Sequence, residues 1–335
     1  MTLAGAVRAC LILGLAGFAL ALPAIDVGAR PKEPVLITPP PPPPMPNVAV
    51  GERMLEDAAA YESYMRQASL ISPNFTDAGG VAQSLRQGVA YEPGQFMRGE
   101  IVYAAVAALQ DPAFVAAVRQ AGATPEGRYE VVAKIFANPL NAFRFNGAAG
   151  AAGRAKAAIV GEGMQLFNAG RLVTQAAYDV QHQAWSHADV EGRDARLETV
   201  RTISASQRYA TPDQVLDLKR QVAGGGASTI PAPPAAQPPY SPLIVHAVAL
   251  AALAAIGQAG DDQAFRLSWL TDDYFTDHCL IHAKNELKEC LAVAKPNYED
   301  VFCLGKQAMA YTGACTVQGA WSAVPLEITT HALRL

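Results

Sequence analysis

The sequence predicts an all-α protein: an Ala-rich multi-helix domain followed by a smaller, disulfide-stapled helical hairpin unit. Three observations carry that prediction. Ala dominates an apolar share of 51%, while aromatic residues make up 7%, a balance that suits close-packed helices and is poor in the residues that fill sheets. Proline follows a capping residue at Asp111-Pro112, Thr124-Pro125, Thr211-Pro212 and Ser241-Pro242, the signature of a helix start. No run combines β-branched residues with an alternation of period two, so strands are not expected.

Residues 1–29 read as a signal peptide. Arg8 and the terminal amine form a short positive region, and Ala9 to Leu22 is an uncharged apolar run of 14 residues, shorter than the ~20 that span a bilayer. Pro23 ends the run, and Val27-Gly28-Ala29 offers small residues for cleavage after Ala29. Ala19-Leu20-Ala21 offers a second cut, and an uncleaved segment would act as an inner-membrane anchor. Residues 30–47 form a Pro-rich tether, since the unbroken run Pro39 to Pro44 favours extended polyproline II.

An N-terminal helical domain is expected over 48–223, with helices near 51–70, 80–90, 94–110, 112–121, 125–137, 150–184, 190–206 and 212–222. Thr211 with Gln214 fits a capping box. The Gly-rich stretch Gly147 to Gly153 lacks the Lys-Ser/Thr ending of a phosphate loop, and its small residues suit close helix approach. Residues 224–241, Gly-rich and then Pro-rich, read as a linker to a C-terminal helical unit, 242–335. Its most apolar segment, Leu243 to Ile256, has the length of a buried core helix.

That unit holds Cys279, Cys290, Cys303 and Cys315, an even, clustered set that reads as two disulfides in an exported chain. Helices over Ile281 to Ala294 and Tyr298 to Ala310, broken at Lys295-Pro296-Asn297, would form an αα-hairpin. Cys290 lies six residues before Pro296 and Cys303 seven after it; Cys279 and Cys315 lie 17 before and 19 after. At ~1.5 Å per residue the steps between the two rungs climb about 16.5 and 18 Å, a mismatch that a disulfide absorbs, so Cys279 pairs with Cys315 and Cys290 with Cys303. In these four cysteines the arrangement resembles the twin-cysteine helical hairpins of the mitochondrial intermembrane space. It departs from them in having 10 and 11 residues between the two cysteines of each helix instead of the usual nine, and in carrying Gly305 and Gly313, which weaken the second helix, and it implies shared geometry only.

A net charge of −4 with no run of Lys or Arg excludes nucleic acid as an expected partner. No catalytic, cofactor-binding or metal-binding residue is assigned, and no cofactor is expected. Glu100 sits in the apolar segment Phe96 to Leu109, where burial would raise its pKa toward general-acid use; the simpler reading pairs it with Arg98 or exposes it near the helix start. His278, Cys279 and His282 offer two imidazoles at helical spacing with a thiolate beside them. His182, Trp185, His187 and Asp189 read as packing, because histidines five apart do not share a helix face. The expectation is an exported, periplasmic, non-catalytic helical protein of the cell envelope. It would act as a scaffold or binding module for an envelope protein or cell-wall component, and touch the membrane only if the N-terminal segment is uncleaved. The alternatives are a periplasmic hydrolase of envelope material with Glu100 as acid, and a metal-binding or redox module at His278, Cys279 and His282.

Overall fold

The computed structural model describes residues 47–223 and 233–321. The expected signal peptide, the tether as far as Pro46, the Gly-rich part of the expected linker (224–232) and residues 322–335 lie outside the described residues. Among the described residues the chain is helical, with no strand and two isolated bridges, Val50 with Ala259 and Asp189 with Pro296.

Side-chain caps start half of the described α-helices. α1 (Glu52–Ser69) follows Gly51, α2 (Ala78–Gly88) is capped by Asp77, and α3 (Pro93–Ala108) by Glu92, whose carboxylate accepts from the amides of Gly94 and Gln95. Asp111 caps α4 (Pro112–Ala121) and Thr124 caps α5 (Pro125–Ala137), each with proline at the first helical position as expected. α6 (Ala148–Val180) runs for 33 residues, about 50 Å at 1.5 Å per residue. A short turn, α7 (Ala184–His187), leads to α8 (Arg193–Ala205) and α9 (Pro212–Ala223). Thr211 and Gln214 close the expected box: the Gln214 amide donates to Thr211 Oγ1 and the Thr211 amide to Gln214 Oε1.

Ser241 caps α10 (Pro242–Ala255), which is buried along almost its whole length. No single described helix is long and apolar enough to cross a membrane. After the short α11 (Ala264–Leu267), α12 (Tyr274–Val293) begins seven residues ahead of the Ile281 start read from the sequence. Asp273 caps it, with the Thr276 amide 3.0 Å from Oδ2, a start that carries no proline to announce it. α13 (Asn297–Cys303) passes without interruption into a π-helix (Leu304–Tyr311) and then α14 (Thr312–Gly319).

The two sides of the expected linker do not fold as separate cores. α10 packs on α3 and α6, the π-helix and α14 pack on α6, and α12 meets α3 and α8, so one apolar core runs through all of them. Backbone bonds stitch the ends together: Ala49 N donates to Ala254 O and Gly51 N to Ala259 O. The described, Pro-rich half of the linker also lies on the body, with Ala236 N bonded to Ala149 O and Tyr240 stacked 4.2 Å from Phe143. The physical reason is α10 itself, whose apolar surface faces all round and cannot be covered by a hairpin alone.

The cysteines are nested: Cys279 bonds Cys315 and Cys290 bonds Cys303, each with Cα atoms 5.7 Å apart. The unequal steps of 11 and 12 residues are reconciled by the helix and not by the bonds. The π-helix lies between Cys303 and Cys315, and an i→i+5 turn holds one more residue than an α-turn. That extra residue also keeps the glycine register with α6. Gly163 and Gly170 are seven apart, Gly305 and Gly313 eight apart, yet they meet in pairs. A Cβ on Gly170 would lie 2.7 Å from Gly305 O, and one on Gly313 would lie 2.6 Å from Gly163 O.

Because the hairpin belongs to the common core, loss of its outer staple should weaken the whole molecule. The double variant Cys279→Ser, Cys315→Ser is expected to lose roughly 3 to 4 kcal/mol, the chain-entropy value for a loop of this length. Chemical denaturation followed by helix signal should show one transition, shifted as a unit; an early separate transition would mean that the hairpin folds on its own.

Candidate functional site

The start of α12 and the end of α14, held together by the Cys279–Cys315 bond, form one side of a cavity of about 570 Å³. Ser241 and Pro242, at the head of α10, close the other side. The wall is mainly apolar and aromatic: Tyr274 and Phe275 stand at the rim, 71% and 70% exposed, and Trp321 and His278 complete it. Their rings touch, Tyr274 to Phe275 at 5.7 Å and Tyr274 to His278 at 5.8 Å between centroids. Lys156 lies over the Trp321 ring with Nζ 3.6 Å from its centroid.

Polar groups line the inner part. Asp273 is buried and uses Oδ2 for the α12 cap. Thr276 is 1% exposed, and its Oγ1 makes no hydrogen bond to another protein group. Gly319 packs over it, since a Cβ there would stand 2.7 Å from Thr276 Oγ1 and 3.8 Å from Glu100 Oε1.

Glu100 thus lies directly behind the cavity wall and is not among the residues that line it. It is fully buried, and neither carboxyl oxygen has a hydrogen-bond partner in the protein. Burial, helped by the nearby Asp273 carboxylate, holds its carboxyl well above the usual carboxylate range. The pairing with Arg98 does not occur, because Arg98 Nε bonds Asp57 Oδ2 at 3.0 Å, and the group is not exposed at the helix start. The rise in pKa expected from apolar surroundings is present; contact with a cleft is not.

The other sequence candidates are dispersed. Cys279 spends its sulfur on Cys315, His282 Nδ1 is 3.7 Å from Glu286 Oε1, and His278 leans on Tyr274, so the three do not converge as ligands. Among the described residues no group of three or more His, Cys, Asp or Glu is placed to hold a metal ion. His187 packs against Tyr298 at 5.7 Å, Asp189 bridges to Pro296, and the Asn297 amide group donates to the carbonyls of Trp185 and Ala188. His182 stays exposed, so the cluster around Trp185 fastens the end of α6 to the hairpin turn.

Two further buried ionisable groups escaped the sequence reading. Lys284 is 4% exposed; it donates to Val89 O at 2.7 Å and to Ser204 Oγ at 3.4 Å, with Nζ 3.3 Å from the Tyr91 ring centroid. Burial pushes its ammonium well below the usual lysine range. It borders a smaller hollow of about 440 Å³ with side chains of both signs, but its nitrogen is engaged by the fold. Asp300 pairs with Arg196, which also donates to Leu291 O, and burial outweighs the guanidinium in raising the carboxyl to about 6.

The sequence reading also missed the rim. Tyr274 and Phe275 are neighbours on a helix, and adjacent positions point about 100° apart, so they cannot both face one core. That was the available signal. Comparison with protein-family models, with curated proteins and with solved structures gave no match. The two disulfides belong to an oxidising, exported environment, where such bonds form and persist.

Glu100 makes a titration prediction with a definite sign. The folded protein holds its proton above pH 4.5, where the unfolded chain releases it, so this group's contribution destabilises the fold as pH rises. Lys284, whose pKa burial lowers, acts in the opposite sense, so a variant difference is needed to isolate Glu100. The stability of Glu100→Gln relative to the parent, measured by denaturant unfolding at pH 5 and pH 8, should increase with pH by up to about 1.4 kcal/mol per unit. A constant difference would mean that Glu100 is ionised in the fold.

Proposed function

We propose that this is an exported, periplasmic, non-catalytic helical protein that binds an envelope component in the cavity between α12, α14 and α10. The observation that carries the reading is the exposed aromatic rim, Tyr274 and Phe275, over an apolar cavity of ligand size. Exposed aromatic side chains beside a concave apolar surface mark binding sites more than they mark packing. The signal-like segment Ala9 to Leu22, the small residues before Arg30 and the Pro39 to Pro44 tether support export, and the disulfides agree with it. Glu100 supports binding over hydrolysis, because a general acid must reach the atom it protonates and this carboxyl is covered by Thr276 and Gly319.

Export is tested by fractionation and N-terminal sequencing: the periplasmic protein should begin near Arg30 and contain no free thiol among Cys279, Cys290, Cys303 and Cys315. Recovery of the chain with Met1 in place would reject cleavage.

The cavity is tested with a neutral, environment-sensitive apolar dye, N-phenyl-1-naphthylamine. About one dye per chain should bind, and the double variant Tyr274→Ser, Phe275→Ser should weaken it at least fivefold without lowering the melting temperature, since both side chains are mostly exposed. Dye binding that ignores the two substitutions would remove the cavity as the site.

A further inference from the structure

The cavity wall is also the place where the chain leaves the body. Gln318, Gly319 and Trp321 all line it, and the outer disulfide holds their helix against α12. Trp321 is fastened there: its amide donates to Gln318 O at 3.0 Å, and Lys156 Nζ lies 3.6 Å from its ring centroid. The segment Ser322 to Leu335 therefore starts at the cavity whose rim carries Tyr274 and Phe275. It is rich in branched apolar residues, Val324, Leu326, Ile328, Leu333 and Leu335, against Glu327 and Arg334 as its formally charged side chains. Val324, Leu326 and Ile328 alternate with Pro325 and Glu327, so an extended peptide sets three apolar side chains on one side. At ~3.3 Å per residue Val324 reaches about 10 Å from Trp321 and Leu326 about 17 Å, which brings both within range of a cavity of about 570 Å³.

We propose that the segment following Trp321 is the resident occupant of the cavity, with Val324 and Leu326 against the Tyr274 and Phe275 rings, and that an envelope component binds by displacing it. Burial of two branched side chains against aromatic rings drives the contact. Pro325 between them fixes one backbone angle in advance and has no N–H to desolvate, which lowers the cost of ordering the peptide. The short connection does the rest, since a peptide tethered so closely acts at an effective concentration on the order of millimolar. A weak contact thus keeps the cavity filled, and an outside ligand has to outcompete it. The Pro39 to Pro44 run is a poorer occupant. The chain that follows it joins the body where Ala49 N bonds Ala254 O, about 20 Å along α10 from the cavity at 1.5 Å per residue.

This inference rests on the cavity being the binding site, and the test separates the two claims. N-phenyl-1-naphthylamine is titrated into the intact oxidised protein, into the full-length double variant Val324→Ser, Leu326→Ser, and into a chain ending at Trp321. Both altered forms should bind the dye at least fivefold more tightly than the parent. A synthetic peptide of Ser322 to Leu335, added to the shortened chain, should compete with the dye, and the same peptide carrying the two serines should not. If shortening the chain impairs folding, the full-length variant decides and the competition is run on it, because it keeps every described residue. Equal or weaker dye binding by the full-length variant, or a peptide that fails to compete, overturns the inference and leaves the cavity standing as a site for an outside ligand. Dye that binds none of the forms, or that ignores Tyr274→Ser, Phe275→Ser in all of them, overturns both.

Discussion

The structure depends on how closely the backbone of α6 approaches the backbone of the 304–319 segment. Glycines at 163 and 170 on one helix meet glycines at 313 and 305 on the other, and no side chain fits between them. At that separation carbonyl and Cα groups of the two helices touch directly, and dispersion contacts accumulate over a long seam. The seam fixes where α14 ends, and therefore where Cys315 meets Cys279. It also sets the face that α12 presents to α8 and α3. The cavity is a consequence: α12 and α14 are held at one height by the seam and the outer disulfide, and the head of α10 stops short of filling the space between them.

Such tight packing has an electrostatic cost that is concentrated in few places. Glu100, Lys284 and Asp300 with Arg196 are ionisable groups inside a core built mostly from Ala, Val and Leu. The last two are compensated by named partners, a carbonyl and an aromatic face for the ammonium, a guanidinium for the carboxylate. Glu100 has neither, and it answers burial by keeping its proton. A buried, unpartnered polar group costs about 1–3 kcal/mol, and here it lies one layer beneath the part of the cavity wall formed by Thr276 and Gly319. The placement gives the interior of the α10 side its least favourable spot next to the candidate site, where proteins most often tolerate one.

Much of the helical architecture was legible because its signals are local. Asp111, Thr124, Thr211 and Ser241 each stand before a proline, and each opens a helix at the expected residue. The cysteine pairing could be read from counting outward from Pro296, which uses only helix rise. Four features stayed hidden, one for want of a strong local signal and three because they are not local. The start of α12 rests on Asp273 alone, a cap of ordinary strength with no proline behind it. The shared core follows from α10 needing cover on every side, a matter of which helices reach it and not of its own pattern. Gly305 and Gly313 read as helix weakeners because propensity assigns glycine a cost of about 1 kcal/mol, whereas across the seam the missing Cβ is what permits contact. The cavity was the least legible of all: Tyr274, Phe275 and Trp321 are far apart from Ser241 and Pro242 in sequence, and only the fold brings them to one rim.

The π-helix has a consequence for how this chain can change. A residue inserted into a packed α-helix turns everything beyond it by about 100° and would sweep Cys315 and Gly313 off their partners. Here the surplus is confined to Leu304–Tyr311, and the residues on both sides keep their faces. The segment works as a slack loop of thread in an otherwise taut seam: helical length can be taken up or given back at that point without re-registering either staple. A lineage of such chains could thus vary in length there while the disulfides, the seam and the cavity wall stayed in place.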